Sequence, residues 1–265
     1  MEFSGKVVWI TGGGGRIGPV IASFFSREGA QVGLSDVVPG GMEPAVAGIR
    51  ADGGAAASFV GDVAEEADVE RVLAGITAAL GPVDILVNNH GVASYLPLVE
   101  MDLKTWQHPF RVNTQGCFLT CRAVARQLIA RGRPGSIVNV SSHNATSGRR
   151  GGSAYTASKA AVDALSMIFA MELGPHGIRV NVVTPGLITS PAPLGPGDGG
   201  TPFQKMMIEM TPLGRTGEPS DIAAAVLAVA SDRMPFLTGS NLQVTGGSHT
   251  GRTTAPLTRR GIHGS

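Results

Sequence analysis

The chain is short of charge, of aromatic residues and of cysteine, and each shortage narrows what it can be. Charged residues fill only 15% of its 265 positions and nearly cancel, leaving a formal net charge of +1 and a pI of about 7.9. A balance so near neutrality offers no basic footprint for nucleic acid and no polybasic attraction to an acidic membrane. No apolar run approaches the roughly 18 residues of a membrane span. The N-terminus enters a strand pattern within six residues, with no apolar leader, so the expected location is cytoplasmic. Two cysteines, Cys117 and Cys121, are too few for a disulfide framework. They stand four apart on a predicted helix with no His or acidic partner at ligand spacing. They read as small buried core residues, and no metal is expected.

What is plentiful is glycine, with 38 residues, and an apolar fraction of 43%, a composition that folds rather than stays disordered. Apolar runs alternate with helix-periodic stretches along the chain. Strands are expected near residues 6–11, 31–35, 55–60, 83–87, 135–142, 177–183 and 241–244. Helices are expected near 18–28, 65–80, 103–131 and 218–230, with one that bears Tyr155 and Lys159 and continues to about Leu173, and at most a short one after Pro44. Strict alternation of this kind predicts an α/β fold: a doubly wound parallel sheet of about seven strands in a three-layer α/β/α sandwich. Its ligand site lies at the carboxyl ends of the strands. No linker interrupts residues 1–249, so one Rossmann-type domain is expected, followed by a polar tail over 250–265. Residues 190–217 break the alternation. They are rich in Pro and Gly, carry an apolar helical patch with Phe203, Met206 and Met207, and read as a substrate lid or as a surface loop with a small core of its own.

Three motifs carry chemistry. The first is Gly12-Gly-Gly-Gly-Gly15-Arg16-Ile17-Gly18, placed between a strand and a helix. Glycines there let a backbone approach a pyrophosphate, and the helix start supplies free N–H groups. The second is Asp36, about 20 residues on, at the end of the next strand. A carboxylate at that place accepts bonds from both ribose hydroxyls of an adenosine and repels a 2′-phosphate, which favours NAD over NADP. Arg16 complicates this, since it can reach toward a phosphate or pair with Asp36. Asp62, after the third strand, is suited to an adenine amino group, to capping the next helix, or to both.

The third motif is Tyr155-x-x-x-Lys159. With two Tyr and four Lys in the chain, chance supplies such a pair about 0.03 times. Four residues on a helix bring phenol and ammonium to one face. A neighbouring cation is expected to lower the Tyr pKa and make it a usable acid/base. Ser142, at the end of an apolar run, adds a hydroxyl.

These motifs together resemble those of the short-chain dehydrogenase/reductase family, in its compact single-domain branch, over about residues 4–248. Thr11-Gly12-x-x-x-Arg16-x-Gly18 is similar to the family's cofactor turn, and Asn88-Asn89-His90-Gly91 to its N-N-A-G segment. Ser142, Tyr155, Lys159 and Asn113 match its catalytic residues. Pro185-Gly186-Leu187-Ile188-Thr-Ser190 is similar to the segment that holds the nicotinamide carboxamide. The resemblance implies Gly12, Gly14, Arg16, Ile17, Gly18, Asp36, Asp62, Val63, Asn89, His90, Gly91, Tyr155, Lys159, Pro185, Gly186, Ile188 and Ser190 as cofactor-binding residues. It implies hydride transfer between the cofactor and a secondary alcohol or ketone. Tyr155 would exchange the proton, Lys159 would lower its pKa and hold a ribose, Ser142 would bond the substrate oxygen, and Asn113 would hold a water. A homotetramer is implied as well.

The pattern departs from the family at three points. Arg16 stands where a Gly is usual, His90 where an Ala is usual (steric filler or substrate contact), and Thr245 where an Asp is usual. The substrate pocket is expected to draw on Ser94, Tyr95, His143, Asn144, Leu187, Phe203, Met206 and Met207. Arg149 and Arg150 read as solvated side chains or as anion clamps, with solvation favoured, and His108 as a surface or structural residue. Two other readings stand beside the NAD-dependent dehydrogenase. One is an NADP-dependent 3-oxoacyl-thioester (acyl-carrier-protein) reductase, against which Asp36 speaks. The other is a non-catalytic dinucleotide sensor, which has no use for Ser142, Asn113, Tyr155 and Lys159 together.

Overall fold

Short β-branched runs make the strands, because they are long enough to cross a sheet and apolar on both faces. The computed structural model describes residues 1–190 and 199–251. Residues 191–198 of the expected lid, and 252–265 of the expected tail, lie outside the described residues. Seven strands pair in parallel: β1 (Val7–Thr11), β2 (Gln31–Asp36), β3 (Ala56–Val60), β4 (Ile85–Asn88), β5 (Gly135–Val140), β6 (Ile178–Pro185) and β7 (Asn241–Val244). Their order is β3-β2-β1-β4-β5-β6-β7. The winding reverses at β1 and β4, and the crevice outside the carboxyl ends of those two strands is the natural ligand site of such a sheet.

Two cores flank the sheet. Successive β1 residues point to opposite faces. Val8 and Ile10 pack with Ile21, Phe25 and Val226, beneath the helices α1 (Gly18–Arg27), α2 (Glu43–Ala51) and α8 (Pro219–Ala230). Val7 and Trp9 pack with Ile76, Leu128 and Val162, beneath α3 (Glu66–Leu80), α5 (Gly116–Ala130) and α6 (Ser153–Leu173). Burying one such aliphatic side chain stabilises the fold by about 1.5–3 kcal/mol. Gly33 on β2 lets α3 close on the sheet, for a Cβ there would lie 2.8 Å from Ile76.

The long helix expected over 103–131 is divided. Helix α4 (Leu103–Pro109) starts on Asp102, whose carboxylate accepts the Thr105 N–H at 2.8 Å. A π-helical turn, Phe110–Gln115, then leads into α5. Pro109 supplies the physical reason: it has no N–H for the helical ladder, and the turn widens behind it. Asn113 stands in that widened turn. The short helix expected after Pro44 begins one residue before it, with Pro44 in the first turn, where its missing donor costs nothing. In the expected lid, the described part forms α7 (Pro202–Glu209), closed at its start by a capping box between Thr201 and Gln204.

Candidate active site

β1 ends on Thr11, and the chain turns through Gly12 in a left-handed conformation, φ +65. A Cβ on Gly12 would lie 2.9 Å from the His90 backbone, and one on Gly18 2.4 Å from the Gly12 carbonyl oxygen. Side chains are thus excluded between this turn and the start of α1, and no acidic residue stands in the first turn of α1. That cradle, with the positive end of a helix beside it, fits a pyrophosphate. Asp36, at the end of β2, accepts the Gly14 N–H at 3.0 Å and the Val38 N–H at 3.1 Å, and so borders the same crevice.

Arg16 does not pair with Asp36. Its Nη1 crosses the crevice and donates to the Ile188 carbonyl at 2.8 Å, joining the glycine turn to the segment that follows β6. Asp62 does not cap α3, whose N-cap is Glu65. Its carboxylate accepts the Ala64 N–H at 2.9 Å and pairs with Arg111 at 3.2 Å, which fixes the loop carrying the buried Val63.

The Asn89 side chain donates to the carbonyls of Thr11 and Gly12 at 3.2 and 3.0 Å, which holds the glycine turn against the end of β4. His90 is neither filler nor a free side chain. Its Nδ1 lies 2.7 Å from the Thr11 hydroxyl, and the ring also hydrogen-bonds the Val112 backbone in the π-helical turn. Burial first, and the Lys159 charge second, push its pKa down to about 3, so the imidazole stays neutral. Gly116 makes room for it: a Cβ there would lie 3.0 Å from Nε2.

Asn113, 1% exposed, accepts the Val92 N–H at 2.9 Å through Oδ1. Through Nδ2 it donates to the Val92 carbonyl at 3.0 Å and to Ser158 Oγ at 2.9 Å. It therefore ties the loop after β4 to helix α6, one residue from Lys159. Below it, Asn88 donates to Asn139 at 2.9 Å and to Cys121 Sγ at 3.3 Å. Asn139 in turn donates to Ser166 at 2.8 Å. Cys117 and Cys121 are buried free thiols, their sulfurs 3.9 Å apart.

Ser142, Tyr155 and Lys159 converge as their spacing predicts. Ser142 accepts the Asn144 N–H at 3.2 Å and shares one cavity lining with Tyr155 and Lys159. Lys159, 5% exposed, donates from Nζ to the Val140 carbonyl at 2.8 Å. A Cβ on Gly91 would lie 3.3 Å from Nζ, so Gly91 keeps the space over the amine open. The expected lowering of the Tyr155 pKa is not found. Burial raises it, and the Ser142 side chain only partly opposes that. Burial also pushes Lys159 down to about 8. The same apolar surroundings act on both groups, disfavouring phenolate and ammonium alike.

Two cavities meet over these residues. One, of about 540 Å³, runs from Asp36 and Asp62 past Gly12, Arg16 and Ile17 to His90. The other, of about 360 Å³, shares Arg16, Ile17 and Asn89 with it and continues over Ser142, Tyr155 and Lys159 to Pro185, Gly186 and Ile188. His108 and Val112 line the first cavity. No sequence spacing ties them to the glycine turn, because α4 and the π-helical turn bring them there. The expected substrate residues divide. Tyr95 packs edge-on against Tyr155, ring centroids 5.9 Å apart, and its hydroxyl accepts from Asn144 at 3.3 Å. Ser94 instead lines a separate groove with Asp102 and Arg111. Leu187 lines a third cavity with Arg215 and Thr245. His143 is half-buried with an unpaired Nδ1, and Thr245 bonds His249 at 2.6 Å. Met206 is exposed, Met207 is partly buried, and Ser190 is exposed at the edge of the described residues. Phe203 packs on Arg149, which is therefore stacked rather than simply solvated.

A crevice that admits a dinucleotide at one end and presents a phenol, a hydroxyl and an amine at the other defines a nicotinamide-dependent oxidoreductase. Comparison with known proteins gives the family. A family model described as enoyl-(acyl carrier protein) reductase matches residues 15–249. The chain is 36% identical over 246 residues to the D-threitol dehydrogenase of Mycolicibacterium smegmatis, with 93% of this chain and 94% of that protein covered. A short-chain type dehydrogenase/reductase from Mycobacterium marinum shares its structure at a TM-score of 0.86 and 32% identity, over 96% of this chain and 97% of that one. A gluconate 5-dehydrogenase from Burkholderia cenocepacia, in complex with NADP and tartrate, does so at 0.86 and 32%, over 94% and 96%. The chain belongs to the short-chain dehydrogenase/reductase family and is an oxidoreductase of alcohol and carbonyl groups. Among the described residues no helix is long and apolar enough to cross a membrane.

Proposed function

We propose that the protein is an NAD(H)-dependent dehydrogenase of a small secondary alcohol or diol, with Tyr155 as its acid/base. The observation that carries this is one cavity lined by Ser142, Tyr155 and Lys159 that opens onto the glycine turn through Arg16 and Ile17. When bound, the nicotinamide supplies or accepts the hydride. Tyr155, kept protonated by its burial, gives its proton to a carbonyl oxygen in reduction and takes it back in oxidation. Ser142 bonds that same oxygen and stabilises the charge developing on it. Lys159, with a pKa of about 8, is poised to return the proton near neutral pH. Asn113 holds Val92 and Ser158 in place around the amine and steadies the floor of the site.

Preference for NAD rests on Asp36. Its carboxylate stands at the end of β2 beside two exposed valines, Val37 and Val38, and the nearest guanidinium of the turn, Arg16, is committed to Ile188. A 2′-phosphate there meets charge repulsion with no uncommitted lysine or arginine among the described residues lining the cavity. The substrate class follows the relatives whose names specify a polyol or a sugar acid. An acyl-carrier-protein thioester is the second reading, favoured by the description of the matching family model. Against it stand Asp36 and a near-neutral net charge, which gives an acidic carrier little to dock on. We further propose a homotetramer, because α5 and α6 expose Phe118, Met167, Ile168 and Met171 on their outer surfaces. A reducing cytoplasm suits the two buried free thiols.

The test is a panel of secondary alcohols, diols, matching ketones and an acetoacetyl thioester, run with NAD(H) and NADP(H) and followed by the absorbance of the reduced cofactor. Turnover of alcohols or ketones with NAD(H) is expected. Tyr155→Phe is expected to lower kcat at least 10³-fold, at the upper end of what acid/base groups contribute, while NADH still binds by fluorescence titration. Retained turnover in that variant refutes the assignment of Tyr155.

A further inference from the structure

Arg149 stands exposed in the loop between Ser142 and the start of α6. Its guanidinium carbon lies 4.2 Å from the Tyr95 ring centroid and 4.4 Å from that of Phe203. These rings come from the loop after β4 and from α7, so three segments distant in sequence meet on one side chain. Two such contacts fix the orientation of a side chain that otherwise loses much rotamer entropy on binding. The contacts engage the π-faces of the rings and leave the planar fork of N–H donors uncommitted. Among the described residues the Arg149 side chain has no hydrogen-bond acceptor and no ion-pair partner. A stacked guanidinium with no partner among the described residues is suited to receive an anion from a ligand.

Two further observations connect it to the substrate. Tyr95 carries the stack to the catalytic centre, packing against Tyr155 at 5.9 Å and accepting a bond from Asn144. Arg149 therefore lies at most about 10 Å from the Tyr155 ring, the length of a short-chain hydroxy acid with a hydrogen bond at each end. The described lining of the catalytic cavity, moreover, includes Arg16 and Lys159 and no carboxylate. A site with that balance attracts negative charge.

We propose that Arg149 binds a carboxylate on the substrate, so that the enzyme acts on hydroxy or oxo acids in preference to neutral polyols. The planar fork matches a carboxylate with two parallel hydrogen bonds, a geometry that a lysine at the same place does not reproduce. The alcohol to be oxidised then sits at Ser142 and Tyr155, and the carboxylate at the Tyr95–Arg149–Phe203 stack. This inference rests on the dehydrogenase reading above and narrows its substrate.

The test uses pairs of equal carbon number, threonate with threitol and gluconate with glucitol, and compares kcat/KM for the acid with that for the alditol. In the wild-type enzyme the acid is expected to be preferred. Arg149→Met keeps the length and packing of the side chain and removes its donors. The acid-to-alditol ratio is expected to fall by about 10- to 100-fold, the range of a charge-assisted bidentate bond, and to do so through KM. Arg149→Lys is expected to recover only part of the ratio. A wild-type enzyme that uses both members of each pair equally, or prefers the alditol, overturns the proposal. So does an Arg149→Met variant that lowers both members alike, because that marks a structural role. If no member of either series and no alcohol in the wider panel is turned over, the dehydrogenase reading fails and this proposal falls with it.

Discussion

Replacing Lys159 by methionine is expected to leave the stability of the cofactor-free protein little changed at pH 7 and to remove much of its rise at higher pH. The amine is 5% exposed, and burial pushes its pKa from 10.5 to about 8. At 1.36 kcal/mol per pH unit that difference corresponds to about 3 kcal/mol held against folding. Below pH 8 the lysine is protonated in both the folded and the unfolded chain, and the full penalty applies. Between pH 8 and 10.5 the folded protein releases its proton first, so stability rises with pH, and above 10.5 the penalty is gone. The titratable groups around it are His90, neutral throughout this window, Asp163, raised by its own burial, and Cys117. Methionine fills most of the same volume without charge but leaves the Val140 carbonyl unpaired, which costs about 1–3 kcal/mol. The two terms nearly offset at pH 7, so the informative quantity is the slope. Urea unfolding of both proteins between pH 7 and pH 10 is expected to show the wild type gaining about 2.5 kcal/mol on the variant. Titrations elsewhere in the chain are common to both proteins and cancel. A difference between them that does not change with pH refutes the claim that this buried ammonium carries a folding penalty.

His90 titrates at the other end of the scale. Its folded pKa of about 3 lies below the usual 6.5, so the unfolded chain takes up a proton that the folded one refuses, and stability is lost as pH falls through that interval. His90→Phe keeps the ring and loses both hydrogen bonds. We expect it to be less stable at pH 7 by about 2 kcal/mol, yet to lose about 2 kcal/mol less than the wild type between pH 7 and pH 5 in urea melts. Equal acid sensitivity in the two proteins contradicts the neutral assignment. For the assembly, light scattering is expected to give four times the chain mass. Phe118→Glu together with Met171→Glu on the exposed α5–α6 surface is expected to lower that mass, and a monomeric wild type removes the homotetramer.

The strands and most helices are legible because their signals are local. The runs at 31–35 and 241–244 are bounded by turn residues and appear as β2 (to Asp36) and β7. The helix pattern that bears Tyr155 and Lys159 and runs to about Leu173 appears as α6, with the two residues one turn apart. What stays hidden depends on pairs with no periodic relation. Periodicity sees one apolar face from 103 to 131, but it does not register that Pro109 lacks a donor and that the helix widens to π just where Asn113 stands. Arg16 has an obvious local partner in Asp36, yet its actual acceptor is a carbonyl 172 residues away. A rule of attraction between neighbouring charges gives no weight to a backbone oxygen brought close by the return of the chain after β6.

The Tyr155–Lys159 pair shows how far a spacing argument goes. Helical geometry fixes which residues meet, and here it places phenol and ammonium on one buried face. It does not fix their proton affinities, because desolvation depends on every segment packed around them. Burial of Lys159 by the loop after β4, by β5 and by the π-helical turn weakens the very charge that was expected to favour the phenolate. With Lys159 near 8 and Tyr155 raised, the chain by itself holds a protonated phenol, which is the state required to donate a proton to a ketone. Alcohol oxidation needs the opposite state. The residues therefore favour reduction at neutral pH and oxidation as the pH rises, a direction set by packing rather than by the four-residue spacing that marks the site.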